Sequence, residues 1–296
     1  MSQCSRRNFL KTAATVAAVT TAGVATPKMY AAKRSATDLV TLGNSGVKVT
    51  RLAFGTGTFG GRVQRELGQE EFTRLVRHAY DQGIRFFESA ENYSGMHQML
   101  GIALKGIPRD TYKLMTKARL RQTDLNAAID RYRAELNTEY IDIMLLHCVR
   151  THDWVETFKP LRDGLSEAKA KKIIMAHGAS CHGMLPLRQF PGNKWLDVAL
   201  MRVNHDGTKM DSVQGDSQEI GDVAEVTSHI KTIHSQGTGV LGMKIIGEGA
   251  FKSPERRDAS IKYVMQLGTV DSVTIGFKSP AEIDEAITRI NTHLNS

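Results

Sequence analysis

Cysteine is nearly missing from this chain. There are three in 296 residues, Cys4, Cys148 and Cys181, and no two are spaced as C-x-x-C. A zinc site or an iron–sulfur cluster built on thiolates is therefore not expected. Also absent is a G-x-G-x-x-G between a first strand and its helix with a carboxylate about twenty residues later, which argues against a doubly wound dinucleotide fold. The formal charge is +8, yet no Lys/Arg cluster is interleaved with aromatics, so no nucleic-acid partner is expected. Residues 1–32 hold no acid but carry Arg6, Arg7, Lys11 and Lys28, and the remainder stands at +4. A mild positive balance of that size suits an anionic cofactor. No long tract has the composition of a disordered segment. With 41% hydrophobic residues the chain can bury the core of one barrel-sized domain, with a short N-terminal appendage.

The appendage reads as an address. Ser5 to Lys11 (SRRNFLK) pairs two arginines with Asn-Phe-Leu, a weakly apolar stretch runs from Thr12 to Thr26, and small residues follow at Ala31 and Ala32. This layout resembles a bacterial twin-arginine export signal over residues 1–32. Thr12, Thr15, Thr20, Thr21 and Gly23 make the middle too polar and too short to span a bilayer comfortably. The expectation is passage through the twin-arginine (Tat) export machinery and a periplasmic or otherwise exported location. Met29 or Tyr30 stands where a cleavage site prefers a small residue, so an uncleaved, membrane-tethered form is the alternative. The twin-arginine route carries folded proteins, which fits an enzyme that acquires a nucleotide before export.

Residues 39–49 read as a hairpin turning at Asn44-Ser45-Gly46. Strand and helix patterns then alternate to the C-terminus. Strands are expected at 51–54, around 86–87, and at 113–116, 141–146, 173–176, 197–201, 240–243 and 272–275. Helices are expected at 69–82, 96–105, 124–137, 154–171, 221–236, 254–267 and 280–291, with a short one near 183–189. Several strands are unbroken apolar runs, as parallel strands covered on both faces require. Eight such units imply an α/β fold, a (β/α)8 TIM barrel over residues 38–292 with a short N-terminal β-hairpin.

Four polar residues then fall just past or at the ends of three successive strands: Glu88 and Tyr93, Lys117, and His147. In a parallel barrel these ends share one face. A carboxylate, a phenol, an ammonium and an imidazole gathered there form a proton-transfer device. Singly, Glu88 and Lys117 read as a barrel-end salt bridge and His147 as a satisfied core histidine; the ordered set favours function. Cys148 and Cys181 follow adjacent strands, about 4.8 Å apart in a sheet, close enough to bridge, though two free thiols are the plainer reading. His177, Cys181 and His182 are ligand types, but Cys181 and His182 are neighbours on an extended chain and point apart, so no metal is expected. Met175, Met201 and Met243 read as core or pocket wall, and Arg256-Arg257 as a solvated helix face.

From residue 38 to 292 the chain resembles the aldo-keto reductase family. LGNSGVKVTRLAFGTGTFGG is similar to its opening hairpin and first strand, GIRFFESAENY to its second-strand signature, and LGIALKG to the helix after it. YKLMTKA, TEYIDIMLLH, AHGASCH, GVLGMKIIGEG and VDSVTIGFKSPAEIDEAI follow in the family's order. The resemblance implies a nicotinamide-dependent oxidoreductase that interconverts a carbonyl and an alcohol. Tyr93 would be the general acid/base, Lys117 would lower its pKa, Glu88 would hold Lys117, and His147 would orient the carbonyl. The cofactor would meet Gly55 and Thr56, Ser180, Cys181, Asn204 and Met243 at its nicotinamide end, Lys244, Gly247 and Gly249 at its pyrophosphate, and Lys278, Ser279 and Glu282 at its adenosine end. Lys278 and Ser279 favour NADP; Glu282 and Asp284 oppose it, and NAD is the alternative.

The departures cluster at the nicotinamide. Glu88 replaces the family's usual Asp, Cys181 its usual Asn, and Met243 a common aromatic. A catalytically weak or inactive barrel that binds nucleotide or a partner protein is therefore the competing reading. The chain ends four residues after Thr292, so small polar carbonyl or alcohol substrates such as sugars are expected, with residues 206–220 as a mobile cover.

Overall fold

Alternation of period two along each strand builds this molecule. In the computed structural model, which describes residues 33–213 and 220–296, eight parallel strands close into a barrel. The export-signal reading of residues 1–32, and residues 214–219 of the expected cover, lie outside the described residues. Ahead of the barrel, β1 (Leu39–Thr41) and β2 (Lys48–Thr50) pair antiparallel. The barrel strands are β3 (Leu52–Gly55), β4 (Phe86–Glu88), β5 (Lys113–Ala118), β6 (Ile141–Val149), β7 (Ile174–Cys181), β8 (Val198–Arg202), β9 (Gly239–Met243) and β10 (Ser272–Gly276). They follow chain order around the barrel, with β10 hydrogen-bonded to β3.

Two cores result. Ala53, Phe86, Met115, Ile143, Leu145, Val198, Leu200 and Leu241 fill the interior. Their neighbours in sequence, among them Phe54, Phe87, Leu114, Met144 and Ala199, pack outward under the helices. The hairpin contributes Leu42, Val47 and Val49 to the inner cluster, and the Asn44 amide donates to the Gly237 carbonyl (2.7 Å). It thus closes the end of the barrel opposite the polar residues.

The helices are α1 (Arg62–Arg65), α2 (Gly68–Asp81), α3 (Met96–Leu104), α4 (Leu125–Glu135), α5 (Trp154–Thr157), α6 (Lys159–Ala170), α7 (Met184–Leu187), α8 (Val223–Ser235), α9 (Pro254–Gln266) and α10 (Pro280–Leu294). Aspartates cap two of them: Asp124 accepts from the Ala127 amide and Asp222 from the Glu225 amide, each at 2.9 Å.

Besides adding α1, which was not expected, and running β6 on to Val149, the structure corrects the element reading at two further places. The helix expected over 154–171 is split, because Pro160 in the first turn of α6 starts a new helix rather than continuing α5. Strand β7 runs on through Gly178 to Cys181 instead of ending at Ala176. Gly178 is needed there, since a Cβ would lie 1.7 Å from the Val198 carbonyl oxygen. Both described cysteines are free thiols. Among the described residues no helix is long and apolar enough to cross a membrane.

Candidate active site

Strand parity delivers the polar set. On β5, Met115 points inward and Thr116 outward, so Lys117 points inward again at the strand's C-terminal end; Glu88 on β4 and His147 on β6 follow the same count. Lys117 is 1% exposed and Glu88 4%. Lys117 Nζ donates to Glu88 Oε1, to the Ser89 carbonyl (3.1 Å) and to Tyr93 Oη (3.3 Å). Tyr93 sits in the loop after β4, its ring edge-on to His147 at 5.5 Å between centroids. Gly57 makes room for it, because a Cβ there would lie 2.6 Å from Tyr93 Oη. The four residues singled out in the sequence are therefore brought together.

Their charge states follow from burial. Burial, with the Glu88 carboxylate second, pushes the Tyr93 phenol well above its ordinary value. The sequence reading had Lys117 lowering it; instead Glu88 neutralises that ammonium, and desolvation decides the direction. Burial lowers Lys117, opposed by Glu88. Burial and the Lys117 charge bring His147 down to about 3. Near neutrality the mouth thus presents a protonated phenol and a neutral imidazole, both able to donate to a carbonyl oxygen. We expect carbonyl reduction to show no inflection between roughly pH 5 and 9, because His147 protonates only below this window and Tyr93 ionises only above it. Alcohol oxidation, which needs the phenolate, should rise with pH across it. Paired pH–rate profiles check both slopes.

Glu88 fits its place. Its second oxygen, Oε2, accepts from Thr274 Oγ1 on β10 (3.3 Å), and Gly55 leaves the space, since a Cβ there would sit 2.6 Å from Thr274 Oγ1 and 3.1 Å from Oε2. An aspartate, shorter by about 1.5 Å, does not span from Lys117 to Thr274. Glu88→Asp should therefore lower kcat by about tenfold rather than raise it, as steady-state kinetics on the two proteins will show.

A cavity of about 530 Å³ opens beside this pair. Glu88, Tyr93, Lys117, Leu200, Met243 and Thr274 line one end, and Lys244, Glu248, Gly249, Lys252, Lys278, Glu282 and Arg289 continue it towards α10. Of the expected cofactor residues, Gly55, Met243, Lys244, Gly249, Lys278 and Glu282 line it. The others do not. Cys181 is turned by parity into the outer core, where its thiol donates to the Gly183 carbonyl (3.3 Å). Ser180 Oγ accepts from the Cys148 amide (2.7 Å), and Thr56 is fully buried. Asn204 spends its amide on its own turn, at Thr208 and Gly207, and on the Lys244 carbonyl (3.2 Å). Gly247 packs against Phe251, and Ser279 precedes α10 without a side-chain cap bond.

Several residues escaped the sequence reading. Arg202, the last residue of β8, is buried (3% exposed) alongside Asn204 (0%). Arg257, read as part of a solvated face, turns into the cavity wall and donates to Glu285 (2.9 Å). Parity counted from Leu200 finds Arg202; the Arg257 contact depends on how α9 meets α10 and leaves no local signal.

The fold and site thus define a barrel enzyme scaffold with a half-buried phenol against a buried amine at the mouth of a cleft rich in cations. Residues 51–266 match the family model for the aldo/keto reductase family, and the chain belongs to that family. Residues 3–23 match the model for the twin-arginine translocation pathway signal sequence. The chain is 32% identical over 122 residues to L-galactose dehydrogenase of Arabidopsis thaliana, covering 38% of this chain and 37% of that protein. It spans less than half the length of the curated relatives it matches. An aldo-keto reductase from Bacillus halodurans in its holo form superimposes with a TM-score of 0.66 at 18% identity, over 86% of this chain and 94% of that one. One from Klebsiella pneumoniae in complex with NADPH gives 0.60 at 14% identity, over 84% and 88%. At such identities the likeness speaks for the fold.

Proposed function

We propose that this protein is an exported, NAD(P)-dependent oxidoreductase that interconverts a small polar carbonyl compound and its alcohol. The observation that carries the reading is the Tyr93 hydroxyl 3.3 Å from a buried Lys117 ammonium, on the wall of a cleft that runs on to Lys244 and Lys278. The residues present fit a nicotinamide dinucleotide. Leu200 and Met243 supply an apolar wall for a flat ring, and Lys244, Lys252 and Lys278 supply cations for phosphates. When bound, the reduced cofactor supplies a hydride to the carbonyl carbon.

The chain's own residues do the rest. Tyr93 gives its proton to the carbonyl oxygen, Lys117 steadies the phenolate left behind, and Glu88 keeps Lys117 charged and in place. His147 orients the same oxygen. In the oxidative direction the roles reverse. The twin-arginine match supports a periplasmic setting, with the cofactor acquired before export.

NADP is the cofactor we favour. Among the described residues Lys278 and Lys252 make no ion pair, whereas Arg257 and Arg289 are engaged by Glu285 and Asp258. Glu282 is occupied by the Lys278 amide (2.9 Å), at the start of its own helix. Fluorescence titration should show NADPH binding about tenfold tighter than NADH, with the margin shrinking as salt screens the lysines. A panel of carbonyl substrates in the same samples tests the activity: nucleotide binding without turnover of any of them would favour the inactive-barrel reading.

A further inference from the structure

Beyond the catalytic set, a second imidazole stands at the mouth. His182 follows the last residue of β7 and, two positions past inward-facing Ser180, returns to the barrel axis. Its ring lies 6.5 Å from that of His147, nearly perpendicular at 80°, so Tyr93, His147 and His182 form one row. Arg202, 3% exposed at the end of β8, donates through Nη2 to His182 Nδ1. A guanidinium has donors only, so Nδ1 must accept, and the neutral ring carries its proton on Nε2. Arg202 is itself braced by Asp211, at 3.4 Å, whose Oδ1 also accepts from the Gly183 amide (2.7 Å).

This arrangement leaves His182 Nε2–H without a hydrogen bond among the described residues, and His147 Nδ1 buried with no partner. Burial, then Arg202, hold His182 well below its ordinary pKa, so it is a neutral donor. Lys117, Arg119, Arg202 and Lys244 act on the two imidazoles, each ion-paired in turn to Glu88, Glu91, Asp211 or Glu248, and Arg150 acts on both rings. A donor backed by a guanidinium prefers an anionic acceptor.

We propose that His182, fixed by Arg202, is a specificity-determining residue, and that the site selects carbonyl compounds bearing an oxygen acceptor on the neighbouring carbon, a carboxylate above a hydroxyl. The inference rests on the carbonyl-reductase reading. Tyr93 and His147 take the carbonyl oxygen, and His182 Nε2–H takes the second oxygen beside it. A 2-oxo acid and its 2-hydroxy acid are the pair that fits best.

Three ketones of one skeleton, pyruvate, hydroxyacetone and acetone, separate the arms, with oxamate as a probe that needs no turnover. The wild type should show kcat/KM falling in that order, by about tenfold per step, and calorimetry on the NADP-loaded protein should detect oxamate. His182→Leu should compress the pyruvate-to-acetone ratio at least tenfold and weaken oxamate to match. Arg202→Met should act in the same direction, and His182→Gln, which keeps an N–H donor, should recover part of both. Equal kcat/KM for the three ketones, or oxamate affinity indifferent to His182, overturns the inference. Loss of turnover on every ketone with His182-dependent oxamate binding intact would instead sink the oxidoreductase reading and leave the anion site standing. Thermal melts of each variant exclude misfolding as the cause.

Discussion

Lys117→Met should give a protein that is both slow and fragile. The ammonium is enclosed by Glu88, the Ser89 carbonyl and Tyr93. Removing it leaves a carboxylate 4% exposed with no counter-charge. Breaking one side of a buried pair costs about 3–5 kcal/mol, which for a domain of this size lowers Tm by roughly 10 °C. Turnover should fall about a thousandfold, because the phenolate formed in the transition state then faces Glu88 without the intervening cation. The double variant Glu88→Gln/Lys117→Met should regain most of the lost stability and none of the activity. That split distinguishes a catalytic pair from a barrel-end salt bridge, which the double variant would leave fully functional.

Tyr93→Phe is the complementary case. It removes one oxygen that, among the described residues, receives a hydrogen bond from Lys117, and the ring stays edge-on to His147. Stability and NADPH affinity should change little. Reduction should nevertheless fall by about three orders of magnitude, because the raised Tyr93 pKa makes this phenol the proton source throughout the neutral range. The neutral His147 can still orient the carbonyl, so KM should move far less than kcat.

The barrel was legible because its signals are local and repeated. Each inner strand residue alternates with an outer one, and the longer helices are flagged by their apolar period or their cap. The gathering of Glu88, Tyr93, Lys117 and His147 was legible for the same reason, since they fall at or just past strand ends whose order is the order of the chain. Failures began where one residue of register decided the outcome. Cys181 was placed at the cofactor by its position after Ser180, yet the same count that turns Ser180 inward turns Cys181 outward. Asn204 was placed at the cofactor by its position after β8, but there the chain has left the strand and Asn204 is organising a turn. The direction of the Tyr93 shift was misread because a sequence shows the neighbouring charge but not the burial that outweighs it. Thr274 and Arg257 act on Glu88 and the cavity wall through contacts between distant segments, which no local pattern encodes.

The central claim is that the phenol of Tyr93 delivers the proton as the carbonyl is reduced. Rapid mixing of NADPH-loaded protein with pyruvate or hydroxyacetone, in water and in deuterium oxide, follows one turnover through the nicotinamide absorbance. The account predicts a fast phase in the wild type that slows in deuterium oxide and is lost in Tyr93→Phe while NADPH remains bound. A fast phase of equal rate in Tyr93→Phe would contradict it.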